Sequence, residues 1–453
     1  MTVPFQFQTE AVKQVEAWDG KALLAHEMGL GKSFMSLLYL QRNREDCLPA
    51  VIVCPASLKW NWERECKVHI GLRAEVLEGT KPPKWGFPRK RDLIVLNYDI
   101  LKFWLEPLLA LRPKLIILDE VQMISNRGSQ RAKAARVLCR QAPHRLALSG
   151  TPLTNRPSEL WSVLNMLRPD KWPAFWPYAM EFCAPKRSFW GWDFSGASNL
   201  DRLHKTLRET VMVRKLKSEV LEQLPEKTRS IVPVRIDLSE YEDARDDYLG
   251  WIARRNPDKL AGIEKAEQLG RLNAMRQIVG KAKLPAVMDW VDRFLESSDG
   301  KLILFTIHRK IVKELEDRYG NACVMVNGAV TGRKRRMAVE SFQKRKQTRL
   351  FIGNIKAAGV GLNLTAAHDV AFGEYGWTPG EHIQAEDRCY ARLNDVHGAA
   401  VNYLTARGTM EEWMVKLIWR KQGNLNRILD DGKGESLDVM KGITKHLMKE
   451  TKK

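Results

Sequence analysis

Short apolar runs set the rhythm of this chain. AVIVCP (residues 50–55), LIVLNY (93–98), LIILDE (115–120) and RLALSGT (145–151) each end in polar or small residues, and helix-length segments separate them. Runs that are apolar on both faces predict strands buried on both sides, hence a parallel sheet covered by helices. A second series repeats the rhythm: KLILFT (301–306), ACVMVNG (322–328), RLFIGN (349–354), DVAFGE (369–374) and AVNYLT (400–405). The pattern predicts an α/β protein of two doubly wound parallel-sheet lobes. Between the two series the character changes. Residues 161–194 crowd Trp172, Phe175, Trp176, Phe182, Trp190 and Trp192 among prolines, 216–225 lead into the β-like RSIVPVRID, and 239–297 read as mixed-charge helix. The boundaries that follow are a first lobe over 1–165, an aromatic-rich accessory region and linker over 166–230, and a helical insertion over 231–297. A second lobe covers 298–431, and a basic tail, frayed or weakly helical, covers 432–453.

Residues 22–38, ALLAHEMGLGKSFMSLL, interrupt the rhythm with a glycine-spaced turn. An apolar run enters the turn Gly29-Leu30-Gly31, which closes on Lys32 and Ser33 before an apolar-periodic segment begins at Phe34. This predicts strand, phosphate loop and helix: backbone N–H groups face an anion, Lys32 reaches the β and γ phosphates of ATP, and Ser33 ligates Mg²⁺. The strict phosphate-loop pattern asks for glycine where this chain has His26. A neutral His26 packs at the loop's edge and a protonated one meets phosphate, and the sequence leaves both open. At the end of LIILDE stand adjacent carboxylates, Asp119 to hold Mg²⁺ and Glu120 to polarise the attacking water. Open parallel sheets bind ligands at the carboxyl ends of their strands, where Lys32, Asp119, Glu120 and residues 149–151 all fall.

Composition narrows the setting. A chain of 453 residues, 44% hydrophobic, has material for two or three cores. Its 74 basic and 54 acidic residues give a net charge of +20, which favours a polyanionic partner, nucleic acid above all. No apolar run approaches the ~20 residues of a membrane span, and MTVPFQFQTE lacks the regions of a secretory signal. A soluble, cytoplasmic protein without a membrane partner is expected. Seven dispersed cysteines with no C-x-x-C pair predict neither a zinc site nor a disulfide framework.

PFQFQTEAV, EMGLGKS, VIVCPASLKWNWERE, DEVQMISN, LSGTPLTNRPSELW, GVGLNLTAA and QAEDR occur in that order from Gln8 to about residue 431. The series resembles the successive motifs of superfamily-two helicases, specifically the Snf-type double-stranded DNA translocases. The stretches 182–227 and EYGWTPGEHIQAEDR resemble the annealing-helicase (HARP-like) branch within that group. The resemblance implies RecA-like lobes with helical insertions, ATP and Mg²⁺ as cofactors, and double-stranded or branched DNA as partner.

The resemblance also assigns roles. Gln8 recognises adenine through its amide. Residues 149–151 couple the nucleotide site to interlobe movement, and Gly361 lets backbone approach DNA and nucleotide. Arg388 acts as an arginine finger that compensates charge on the γ-phosphate. The family's second arginine, three residues further on, is replaced by Ala391, with Arg392 one step along. If the segment is helical, one step is a rotation of about 100°, so Arg392 takes that role only if the backbone shifts. Lys59, Arg127, Arg156, His308 and Arg309 are strand-end or loop residues suited to DNA phosphates, and Trp377 matches an aromatic that approaches the duplex. The aromatic stretch 172–194 reads as accessory-region core or as a base-stacking platform.

The implied activity is a DNA-dependent ATPase that translocates on duplex DNA and remodels or reanneals branched DNA, acting as a monomer in a bacterial or viral-host cytoplasm, or in the nucleus if the source is eukaryotic. A strand-separating helicase, an RNA-dependent ATPase and a nucleotide-regulated DNA-binding protein with weak hydrolysis are the competing readings.

Overall fold

The computed structural model describes residues 3–82, 87, 92–152, 156–188, 191–220, 227–254, 262–330, 332–355, 362, 364–390, 398–430 and 447. The chain divides into two compact units, the first mainly residues 1–184 and 194–223, the second mainly 224–425.

All four early apolar runs are strands of one sheet in the first unit. Its members are β1 (Lys21–Leu24), β2 (Ala50–Cys54), β3 (Glu75–Val76), β4 (Leu93–Asn97), β5 (Leu115–Asp119), β6 (His144–Leu148) and, beyond a small antiparallel hairpin of β7 (Lys186–Ser188) and β8 (Gly191–Asp193), β9 (Met212–Val213). The order is β3-β4-β2-β5-β6-β1-β9, and every pairing is parallel. Every residue of β2, β4 and β5 is buried, as continuous apolar runs require. The helices Gln6–Ala17, Lys32–Arg42 and Lys59–Ile70 contribute Val12, Met35, Leu37 and Trp62 to a core shared with Ile52, Val95 and Ile117.

The second unit holds a six-stranded sheet of β10 (Lys227–Val234), β11 (Leu302–Thr306), β12 (Cys323–Val326), β13 (Leu350–Asn354), β14 (Asp369–Phe372) and β15 (Ala399–Ala406). Its order is β10-β15-β14-β11-β13-β12, again all parallel. Alternation along β11 serves two cores: Ile303 and Phe305 face Phe351, Phe372 and Tyr403, while Leu302 and Leu304 face Ile352, Val312 and Leu315. The helix Gly262–Ser297 feeds both, Leu272 and Val279 into one and Val287 and Val291 into the other. The helical segment expected over 231–297 to lead into the second lobe thus contributes to both cores of that unit.

The region expected over 166–230 is likewise divided rather than set apart. The helices Phe175–Phe182 and Leu200–Thr210 belong to the first unit, β9 extends the first sheet and β10 edges the second. Two residues are too few to read as a strand from pattern, and the largely exposed β10 lacks the doubly apolar signature. The aromatic stretch splits too. Trp172, Phe175, Tyr178 and Phe182 are buried, and Trp172, Tyr178 and Phe182 meet one another edge-on or tilted, whereas Trp176 is 50% and Trp192 43% exposed. Trp190, Gly361, Arg392 and all of the tail but Leu447 lie outside the described residues.

Candidate active site

β1 delivers the chain into the phosphate loop. Gly29 (φ 87°) and Gly31 (φ 81°) adopt left-handed backbone that strains any side-chain-bearing residue, and Gly31 caps the helix Lys32–Arg42. The first N–H groups of that helix have no intrahelical acceptor, so the turn is an anion cradle with Lys32 and Ser33 as its first two helical residues. Lys32 Nζ curls back to donate to the carbonyls of His26 (2.8 Å) and Glu27 (3.1 Å). Burial lowers its pKa to about 8, although Glu120 and Asp119 pull the other way. The ammonium is thus partly discharged near pH 8, and a nearby polyphosphate favours its charged form. Binding of Mg²⁺-free ATP at pH 8 is expected to take up protons, and affinity to fall as pH rises through about 8. Calorimetry in two buffers of different ionisation enthalpy measures this; uptake that persists unchanged in Lys32→Ala excludes Lys32 as its source.

β5 ends on Asp119, whose two oxygens are both engaged. Oδ2 accepts from Trp62 Nε1 at 2.8 Å and Oδ1 from the Glu120 backbone N–H at 2.9 Å, while Tyr98 donates its hydroxyl to the Asp119 carbonyl at 2.8 Å. Burial, then neighbouring Glu120, raises the Asp119 pKa above the usual carboxylate range. Glu120 sits in left-handed backbone (φ 49°), a conformation that costs about 1–3 kcal/mol for a residue with a Cβ and gathers at functional sites. Its Oε2 accepts from Gln122 Nε2 at 2.6 Å. Gln122 Oε1 in turn accepts from the Ser149 hydroxyl at 2.7 Å, and Ser149 Oγ accepts from the Thr151 N–H at 3.0 Å. A chain of hydrogen bonds therefore joins Glu120 at the end of β5 to the turn after β6. Next to it, a Cβ on Gly150 would lie 2.8 Å from Met28 Cγ and 3.4 Å from Lys32 Nζ, so a larger residue there requires the Met28 side chain to shift.

Gln8 is buried and links its helix to the loop: Oε1 accepts from the Phe5 N–H (3.1 Å) and Nε2 donates to the Leu30 carbonyl (3.2 Å). Arg214, just beyond β9, donates to the Ala25 carbonyl at 2.8 Å, and Glu27 accepts from the Lys217 N–H at 2.6 Å. His26 is fully buried, near Phe7 and facing a cleft of about 210 Å³. Burial and then Lys32 lower its pKa to about 3, so it is the neutral, packed histidine and not a phosphate-binding imidazolium.

Residues 8–281 match the profile of the SNF2-related domain, and residues 282–392 that of the helicase conserved C-terminal domain. The chain belongs to the SNF2-related family. It is 30% identical over 421 residues to the SWI/SNF-related matrix-associated actin-dependent regulator of chromatin subfamily A-like protein 1 of Xenopus laevis, which covers 92% of this chain and 43% of that protein. The DNA annealing helicase and endonuclease ZRANB3 of Mus musculus is 31% identical over 433 residues, 92% of this chain and 40% of its own length. The chain thus spans less than half the length of these relatives. The Sulfolobus solfataricus SWI2/SNF2 ATPase core in complex with dsDNA is 22% identical, with 95% of this chain and 97% of that one covered at a TM-score of 0.46.

Several residues that the SNF2 resemblance marks for DNA or nucleotide are engaged within their own unit. Lys59 is the first residue of a helix, not a loop residue, and is buried; its Nζ donates to the Leu77 carbonyl at 2.9 Å and lies 3.6 Å from Glu78. Its ammonium is turned inward onto those two oxygens. Arg127 is exposed, its guanidinium 3.8 Å from the centre of the Phe175 ring, and Arg156 is half-buried ahead of the turn Pro157–Glu159. His308 gives Nδ1 to Glu374, which also accepts from the backbone N–H groups of Ile307 (2.8 Å) and His308 (2.9 Å), while Arg309 is exposed at a helix start. Trp377 donates to Asn273 at 3.2 Å beneath the guanidinium of Arg276. Arg388 is 3% exposed and donates to the carbonyls of Gln384 (2.9 Å) and Leu362 (3.2 Å). It follows a helix that ends at Glu386, so the helical rotation argument for Arg392 lacks a helix among the described residues.

Trp62, Gln122, Arg214 and Lys217 had no assigned role in the sequence. Trp62 and Gln122 lie within the motif stretches VIVCPASLKWNWERE and DEVQMISN, and that position was their one available signal.

Proposed function

We propose that this SNF2-related chain is a DNA-dependent ATPase that translocates on double-stranded DNA and remodels or reanneals branched DNA. The observation that carries the reading is the grouping of Lys32, Asp119 and Glu120 at the carboxyl ends of strands of one parallel sheet, joined by hydrogen bonds to the turn after β6. The relative named as a DNA annealing helicase supports the substrate class, and the net charge of +20 supports a polyanionic partner.

In this reading the phosphate loop and the ammonium of Lys32 bind the phosphates of ATP. Glu120 takes the proton of the attacking water. The Ser33 hydroxyl and the buried Asp119 carboxylate are hard oxygen donors of the kind Mg²⁺ takes, few in number as expected for an ion that keeps waters and substrate phosphates. Bound there, Mg²⁺ neutralises charge on the transferring phosphate. Gln122 and Ser149 carry a change at Glu120 toward Thr151. Arg388 compensates charge on the γ-phosphate, which requires it to exchange its bonds to Gln384 and Leu362.

No described helix is long and apolar enough to cross a membrane. The relatives reported above come from a frog and a mouse and lend no support to a bacterial or viral setting.

The test is ATP hydrolysis with single-stranded, duplex and forked DNA and with RNA. Stimulation by duplex or forked DNA is expected, and Arg388→Ala is expected to remove it while ATP still binds. Equal turnover with and without every nucleic acid sinks the translocase reading, and stimulation by RNA alone favours the RNA-dependent alternative.

A further inference from the structure

The helix Pro379–Glu386 carries negative charge where a helix tolerates it least. Glu386 and Asp387, with side chains 0% and 10% exposed, stand at its carboxyl end, where the unpaired carbonyls already make the potential negative. Both are answered from β10. Arg229 forks onto Glu386, Nε to Oε1 at 2.9 Å and Nη2 to Oε2 at 2.6 Å. Lys227 Nζ lies 2.5 Å from Asp387 Oδ1 and 3.4 Å from Glu386 Oε2, and Tyr403 on β15 donates its hydroxyl to Glu386 Oε1 at 2.9 Å. Lys227 and Arg229, two residues apart, lie on the same face of their strand. Burial lowers the Lys227 pKa, but Asp387 and Glu386 outweigh it and hold the group at about 12, so the Lys227 ammonium is charged at neutral pH.

Arg388 is the next residue. Its backbone N–H donates to the Ala385 carbonyl at 3.2 Å and its Nε to the Gln384 carbonyl, so the arginine hangs from the helix end that the clamp fixes. β10 is also the strand by which the chain enters the second unit, and it pairs with β15 over its whole length, from Lys227↔Ala399 to Val234↔Ala406. An apolar cluster would hold two strands and a helix together without burying the carboxylates of Glu386 and Asp387. In some proteins buried ionic groups fix one geometry at a cost in stability.

We infer that Glu386 and Asp387, clamped by Lys227 and Arg229, are positioning residues for Arg388: they set where its guanidinium stands during ATP hydrolysis and tie that placement to β10. This rests on the reading of Arg388 given above.

The experiment is steady-state ATP hydrolysis by the full chain at saturating duplex DNA. Glu386→Gln and Asp387→Asn are each made alone and in an Arg388→Ala background, with thermal melting and ATP KM recorded. The expected result is a drop in kcat of about tenfold or more for the single variants, ATP KM within about twofold of the parent, and no further drop when Arg388 is already alanine. Lys227→Arg, which keeps the charge, is expected to retain more than half of the parent kcat. Should Glu386→Gln melt below the assay temperature, Asp387→Asn, which removes one contact at the edge of the clamp, carries the test. Unchanged kcat in a folded Glu386 or Asp387 variant, or losses that multiply in the Arg388→Ala background, overturn the inference while leaving Arg388's own role standing. An unaffected Arg388→Ala, by contrast, refutes that role itself and the inference with it.

Discussion

Glu120→Gln is expected to lower ATP hydrolysis by about 10²–10⁴-fold, the range a positioned general base supplies, while ATP binding stays near that of the parent. The substitution preserves shape. The left-handed backbone at this position, fixed in part by the bond from its N–H to Asp119 Oδ1, already accommodates a side chain of this size. An amide oxygen still accepts from Gln122 Nε2, so the chain to Ser149 survives. What disappears is a group able to take a proton from water. Removing the charge also relieves Asp119, since repulsion by Glu120 is the second cause of its raised pKa after burial, and this favours cation binding. Single-turnover hydrolysis together with equilibrium binding of a fluorescent nucleotide separates the two effects. A turnover within tenfold of the parent would remove Glu120 from its role.

The largest stability effect is expected at Lys283. Its side chain is fully buried, with Nζ 2.6 and 2.7 Å from the two oxygens of Glu411 and 2.8 Å from the Leu404 carbonyl. Lys283→Met leaves Glu411 as an uncompensated buried charge, for which a loss of about 3–5 kcal/mol is expected. The pair Lys283→Met with Glu411→Leu removes both charges and is expected to recover most of that loss, because the Coulombic gain of such a pair is largely offset by desolvation. Urea denaturation measures both. A single variant as stable as the parent, or a double as unstable as the single, contradicts the account.

What the sequence made legible divides along a physical line. The nine apolar runs are all strands, and the central ones, β2, β4, β5 and β11, are buried at every residue, a condition that leaves its mark on consecutive positions. The phosphate loop is legible because backbone that must turn left-handed beside an anion narrows Gly29 and Gly31 to one residue type. Partners contributed from distant chain were not legible. Trp62 meets Asp119 across 57 positions and Arg214 meets Ala25 across 189, and no local pattern encodes crossovers of that length. Edge strands were also missed or blurred, since β10 is exposed along most of its length and β9 has two residues. Residue type alone also leaves aim undetermined. Lys59 carries the right charge near the end of β2, but the Leu77 carbonyl and Glu78 turn it inward.

The place of β1 between β6 and β9 bears on how the protein is made. Its hydrogen-bonded neighbours begin at His144 and Met212, and neither β2 nor β4, which leave the ribosome soon after it, pairs with it. At about 5–20 residues per second of synthesis, β1 waits on the order of ten seconds for its first partner. During that interval the strand that later holds the phosphate loop is an unpaired apolar edge. The nucleotide cradle is therefore a late product of translation, and a nascent chain halted before β6 should be unable to retain ATP.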